Sequence, residues 1–189
     1  MHTLRPIQFV DGENLVMRYQ AMIAAGRKPV ENVKHKRDVY VWHEGLASFF
    51  NHGFARIYYY TTVVGAEPEV EKVKAEIASC KYMYIPSSTA VMSQLVPFVF
   101  KKASQSQKTR NVDIQLVIDV MRFASTESFN LLFIASGDGD YLPLIVEAMR
   151  SGKQVVVAAF SSGLNPLLPN CVDKFIDLDE LFFLPENAG

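Results

Sequence analysis

Three separated stretches of the chain carry acids in settings that could do chemistry. Asp11 and Asn14 occur in Phe9-Val10-Asp11-Gly12-Glu13-Asn14, directly after a short β-prone run. Asp113 stands in Asn111-Val112-Asp113, where a helix is expected to open. Asp138 and Asp140 occur in Ser136-Gly137-Asp138-Gly139-Asp140-Tyr141, directly after the apolar run 131–135. Carboxylates gathered without Lys or Arg among them repel one another strongly at low effective dielectric. A hard divalent cation relieves that repulsion, and oxygen donors from Asp and Asn suit Mg²⁺ or Mn²⁺. Zn²⁺ is disfavoured, because no Cys or His falls near these turns. The natural reaction for such a site is metal-assisted hydrolysis of a phosphodiester.

Taken singly, each aspartate reads as a turn or helix-cap residue, and Asp113 as an N-terminal helix charge. Their joint occurrence is what points to a site. Gly137 and Gly139 flank Asp138, permitting a tight strand-to-helix turn that offers backbone N–H groups to a bound anion.

The elements that would position these acids follow from apolar periodicity and turn residues. Strands are expected over 7–10, 56–64, 82–85, 95–100, 131–135, 154–160 and 174–178. Helices are expected over 14–25, 38–51, 68–79, 112–124 and 139–151, with a short one near 164–170. Uninterrupted apolar strands such as 131–135 and 155–159 imply a parallel sheet covered on both faces. In such α/β folds ligands bind beyond the carboxyl ends of the strands, beside a switch in strand order. Asp11, Asp113, Asp138 and Asp140 can all lie on that edge.

Positive charge is local rather than global. The chain has 189 residues, 19 Lys and Arg against 20 Asp and Glu, and a formal charge of −1. Residues 27–37 and 101–110 together hold nine of those basic residues and one Glu. Lys101, Lys102, Lys108 and Arg110 could guide an anionic polymer by phosphate contacts, which give affinity independent of sequence. Tyr58-Tyr59-Tyr60 reads as a core strand, with a base-stacking surface as the alternative.

An apolar share of 49% and a charged share of 21% exclude disordered and fibrous classes, and the length suits one domain over 1–189. Two cysteines, Cys80 and Cys171, make no disulfide framework and fit a reducing compartment. The two longest uncharged stretches, 82–100 and 154–172, contain prolines and polar residues unsuited to a membrane helix. The expectation is a cytoplasmic protein with no membrane partner; self-association into a homodimer stays open.

Phe9-Val10-Asp11-Gly12-Glu13-Asn14, Val112-Asp113, and Ile134-Ala135-Ser136-Gly137-Asp138-Gly139-Asp140-Tyr141 with Pro143-Leu144 resemble, in that order, the NYN domain. The closer likeness is to the LabA-like division of this PIN-like nuclease family. Gly152-Lys153-Gln154-Val155 and Asp173-Lys174-Phe175-Ile176-Asp177-Leu178 extend the resemblance over about residues 5–180. It implies a Rossmann-like, three-layer α/β fold of PIN type with a mainly parallel sheet. It also implies Mg²⁺ or Mn²⁺ and cleavage of RNA at an acidic site matched by Asp11, Asn14, Asp113, Asp138 and Asp140; Asn14 and Ser136 are expected toward the substrate. Arg110-Asn111 stands where the family commonly has Lys-Gly, which keeps the charge and stiffens the backbone before Asp113.

The leading expectation is a metal-dependent ribonuclease acting on single-stranded RNA. The alternative is an RNA-binding or regulatory module that keeps the pocket and turns over little. A phosphatase acting on a small molecule would leave the basic loops unexplained.

Overall fold

The computed structural model describes residues 4–106 and 110–185. Six parallel strands form its central sheet: β1 (Pro6–Asp11), β4 (Ile57–Val64), β7 (Val96–Lys102), β8 (Leu131–Ala135), β9 (Gln154–Ala159) and β10 (Lys174–Asp177). They are ordered β10-β9-β8-β1-β4-β7. The chain builds outward from β1 through β4 to β7, then returns to the other side of β1 with β8. The strand order therefore reverses at β1 and β8, and their carboxyl ends form the crevice.

Helices cover both faces, giving the three-layer α/β arrangement expected. On one face α1 (Gly12–Ala24), α2 (Glu67–Ala78) and α5 (Asp179–Phe182) pack against Val10, Ile57, Tyr59, Phe133 and Val156. On the other, α3 (Asn111–Ala124) and α4 (Leu142–Arg150) cover Ile7, Phe9, Tyr60, Leu132 and Ile134. Neighbouring residues along each strand divide between the two cores because side chains alternate across the sheet. No described helix is long and apolar enough to cross a membrane.

The helix expected over 38–51 does not form. Instead β2 (Lys34–Lys36) and β3 (Tyr40–Trp42) make an antiparallel hairpin, followed by a short 3₁₀ turn, Glu44–Ala47. Asp38 takes the left-handed conformation (φ 59°) that reverses the chain. The Tyr59 hydroxyl then clasps the Val41 backbone, donating to its carbonyl at 2.8 Å and accepting from its N–H at 3.1 Å. The apolar spacing suits a buried hairpin and turn as well as a helix, and tertiary contacts decide between the two.

Two further differences are local. A strand not among those expected, β6 (Val91–Gln94), pairs antiparallel with β5 (Lys81–Tyr84). The helix expected over 139–151 opens with a 3₁₀ turn, Gly139–Tyr141, and becomes α-helical only at Leu142.

Candidate functional site

Register alone brings the first two site residues together. Val10 pairs with Ala135, so the next residues, Asp11 and Ser136, leave the two strands side by side. The Ser136 hydroxyl donates to Asp11 Oδ2 at 2.9 Å. Asp11 is also the N-cap of α1, its Oδ1 accepting from the Asn14 backbone N–H at 3.0 Å. Between them stands Gly12, where a Cβ would lie 2.3 Å from Tyr59 Cε1 and 2.7 Å from the Tyr60 carbonyl oxygen. Only glycine lets the strand turn so sharply into the helix. Asn14 closes the crevice from the other side, its Oδ1 accepting from the Gly137 N–H at 3.1 Å.

The turn after β8 is organised by its own side chains. Ser136 Oγ accepts from the Asp138 N–H at 3.2 Å, and Asp138 Oδ1 from the Asp140 N–H at 2.9 Å. Asp138 and Asp140 remain exposed. Tyr141, buried beneath them, donates its hydroxyl to Asp113 Oδ1 at 3.1 Å and so joins the turn to α3. Lower on α3, buried Asp119 accepts from Tyr60 (3.0 Å), Gln115 (2.9 Å) and Arg122 (2.8 Å). That network pins α3 to β4 and thereby fixes where Asp113 stands.

The acids share one electrostatic field. Burial pushes the Asp11 carboxyl up to about 7, opposed by its bonds from Asn14 and Ser136 and reinforced by the charges of Asp113 and Glu13. Burial also raises Asp113, opposed by the Tyr141 hydroxyl and reinforced by Glu13, Asp138 and Asp140. The Tyr141 phenol is driven far above its ordinary range by burial and then by Asp11, Asp113 and Asp138. Among the described residues, no Lys or Arg makes an ion pair with Asp11, Asp113, Asp138 or Asp140.

Among the described residues, no three His, Cys, Asp or Glu side chains form a ready-made metal cage. The four aspartates are coupled by charge rather than closed onto one point. Their chemistry still fits a hard cation, since the oxygens lack cationic partners and two of the acids are held above their ordinary range. Mg²⁺ commonly takes only one or two carboxylates directly and keeps several waters. Such an ion could be shared by acids that do not touch.

The other expected residues are placed unevenly. Ser136, expected to face substrate, is 2% exposed and fully engaged with Asp11 and Asp138. Lys102 is 8% exposed, its ammonium 3.3 Å from Glu13 Oε1, so it neutralises an acid instead of facing solvent. Lys101 and Arg110 are exposed, one near the end of β7 and the other capping α3. Lys108 lies outside the described residues. In the stretch 27–37, Lys36 is spent on Glu69 (2.9 Å) and Glu76 (3.0 Å) of α2. Tyr59 and Tyr60 are fully buried and Tyr58 stacks on Phe9 and Phe123, so this strand is core.

Two site residues escape a reading of the sequence alone. Glu13 accepts from the buried Thr62 hydroxyl and from Lys102, and its charge acts on both Asp11 and Asp113. Its place beside Asp11 in the first motif is the available signal. Tyr141 follows Asp140 directly, but its bond to Asp113 spans 28 residues, and nothing local announces it.

The NYN domain model matches residues 8–179. The chain is 28% identical over 74 residues to "Uncharacterized protein MJ0482" of Methanocaldococcus jannaschii, a match covering 39% of this chain and 31% of that one. The matched stretch is thus about a third of that relative's length. In fold, the molecule is similar to a crystal structure described as a protein of unknown function, VPA0982, from Vibrio parahaemolyticus. The TM-score is 0.64 at 15% identity, covering 97% of this chain and 100% of the other.

Proposed function

We infer that this chain, which belongs to the NYN domain family, is a metal-dependent ribonuclease that hydrolyses phosphodiester bonds of single-stranded RNA. The observation that carries the reading is the uncompensated group of acids at the switch point of the sheet, where Asp11 is held up at about 7. Membership of a nuclease-like, PIN-like family supports the same reaction class. The ordered motifs from Asp11 to Tyr141 favour the LabA-like division within it.

Asp11, Asp113, Asp138 and Asp140 would hold a Mg²⁺ or Mn²⁺ ion between them, partly through its waters. Such an ion, when bound, lowers the pKa of water and stabilises charge developing on phosphate oxygens. The chain's own residues supply the orientation. Ser136 and the Asn14 N–H fix both oxygens of Asp11, and Tyr141 fixes one oxygen of Asp113. Asp138 and Asp140, both exposed, would orient the attacking water or accept its proton. Lys101 and Arg110, exposed at the same edge, contact the phosphates of the strand.

In a second reading the pocket binds RNA and turns over little. A cleavage assay separates the two. The wild type with Mn²⁺ should cut single-stranded RNA, with EDTA and Asp138→Asn each abolishing the product. Salt-dependent binding without product supports the regulatory module, and robust EDTA-insensitive cleavage by Asp138→Asn rejects the assignment.

A further inference from the structure

Arg18 lies on α1 four residues after Asn14, on the same face of the helix. Helical side chains lean toward the N-terminus, which here is the end that meets the acidic crevice. Its guanidinium rests on Gly163, in the loop that leaves the carboxyl end of β9. A Cβ on Gly163 would lie 2.1 Å from Arg18 Cζ and Nη1 and 2.5 Å from Nε, and the residue has φ +64°. Glycine is therefore needed twice at this point, for its backbone angle and as the floor of a seat. The same loop reaches the site itself: the Asn165 N–H donates to the Gly137 carbonyl at 3.0 Å, and the Asn165 amide covers Gly139.

One nitrogen of the seated guanidinium is unsatisfied. Arg18 Nε is buried without a hydrogen-bond partner, and among the described residues no carboxylate pairs with the side chain. A partly buried cation needs water or an anion at the nitrogens that stay open. Gly163 seats the planar group by its Nε side, and the terminal nitrogens suit phosphate oxygens. We propose that Arg18, seated on Gly163, forms a phosphate subsite beside the acidic crevice, taking a phosphodiester of the bound RNA next to the one that is cut. This subsite rests on the ribonuclease reading and adds to it a residue that positions the strand.

The test is binding of a fluorescein-labelled single-stranded oligonucleotide to the full chain in EDTA across a salt series, followed by cleavage kinetics with Mn²⁺. For Arg18→Gln, the plot of log affinity against log salt should be shallower by about 0.7, the contribution of one phosphate contact on a single strand. In cleavage, its KM should rise with kcat little changed. Arg18→Lys should recover most of the salt slope and little of the affinity, because an ammonium keeps the charge without the fork. Gly163→Ala, which displaces the guanidinium, should resemble Arg18→Gln. Inorganic phosphate should compete far more weakly than RNA; equal competition would mean a free-anion site and overturn the strand assignment. A wild-type salt slope in Arg18→Gln, with the wild type binding and cutting RNA, overturns the subsite and leaves the ribonuclease reading intact. Failure of the wild type to bind RNA removes both.

Discussion

The Tyr141 hydroxyl donates to Asp113 Oδ1 at 3.1 Å, so the turn after β8 directly orients the acid that opens α3. Removing that hydroxyl should leave Asp113 with one fewer donor to its charged form, and its pKa, already raised by burial, should rise further. Tyr141→Phe should keep the fold and weaken Mn²⁺ affinity about tenfold at pH 6.5, the lower end of effects seen on losing residues that orient ligands. The loss should shrink toward pH 8, because a carboxyl raised by burial becomes more completely ionised as pH rises. Isothermal titration with Mn²⁺ at the two pH values checks this.

Asp11 gives the molecule a pH dependence whose sign is fixed. Its carboxyl titrates near 3.8 in the ordinary state and at about 7 when folded, so the folded chain holds the proton more tightly. Without metal, stability should be greatest at low pH within this window and fall as pH rises from about 4 to about 7. Asp11→Asn keeps an N-cap acceptor and removes the charge. At pH 8 in EDTA it should melt higher than the wild type by about 3–8 °C, roughly 1–3 kcal/mol for a domain of this size, and show a flatter pH profile. Asp138 is exposed, so its neutralisation should change the apo melting temperature much less.

Ser136 couples two site residues at once. Ser136→Ala leaves Asp11 Oδ2 and the Asp138 N–H without their partner, at a cost of about 1–3 kcal/mol. Urea denaturation should register that loss, together with a lower affinity for Mn²⁺. Unchanged stability would mean that water replaces the hydroxyl at no cost.

Gly12 tests the geometry that puts Asp11 in place. Gly12→Ala drives a methyl into the Tyr59 ring and the Tyr60 carbonyl and should destabilise the fold by about 2–3 kcal/mol, measured in urea. Gly152, at φ 78°, would have nothing within 4 Å of an added Cβ, so Gly152→Ala should cost only its backbone strain of about 1 kcal/mol.

Much of this arrangement can be read from residue order. The apolar runs at 131–135 and 155–159 imply buried parallel strands, and the acids at strand ends imply a shared edge, both matching the sheet. The hairpin Lys34–Trp42 is hidden because its apolar residues also fit a helical period, and the contact that decides it, Tyr59 with Val41, is not local. Counting basic residues overstates the free positive charge. Lys36 and Lys102 are paired with Glu69, Glu76 and Glu13, partners distant in sequence. Arg18 escapes notice for the converse reason, since a lone arginine in a helix carries no signal until the loop at Gly163 folds against it.

Whether the acids share a cation is decided by anomalous diffraction from crystals soaked in Mn²⁺ at pH 8. One strong peak is expected in the crevice between Asp11 and Asp113, within reach of Asp138 or Asp140 directly or through an ordered water, and no peak in Asp11→Asn crystals. An empty crevice at full Mn²⁺ occupancy elsewhere, or an equal peak in the variant, would refute a shared ion.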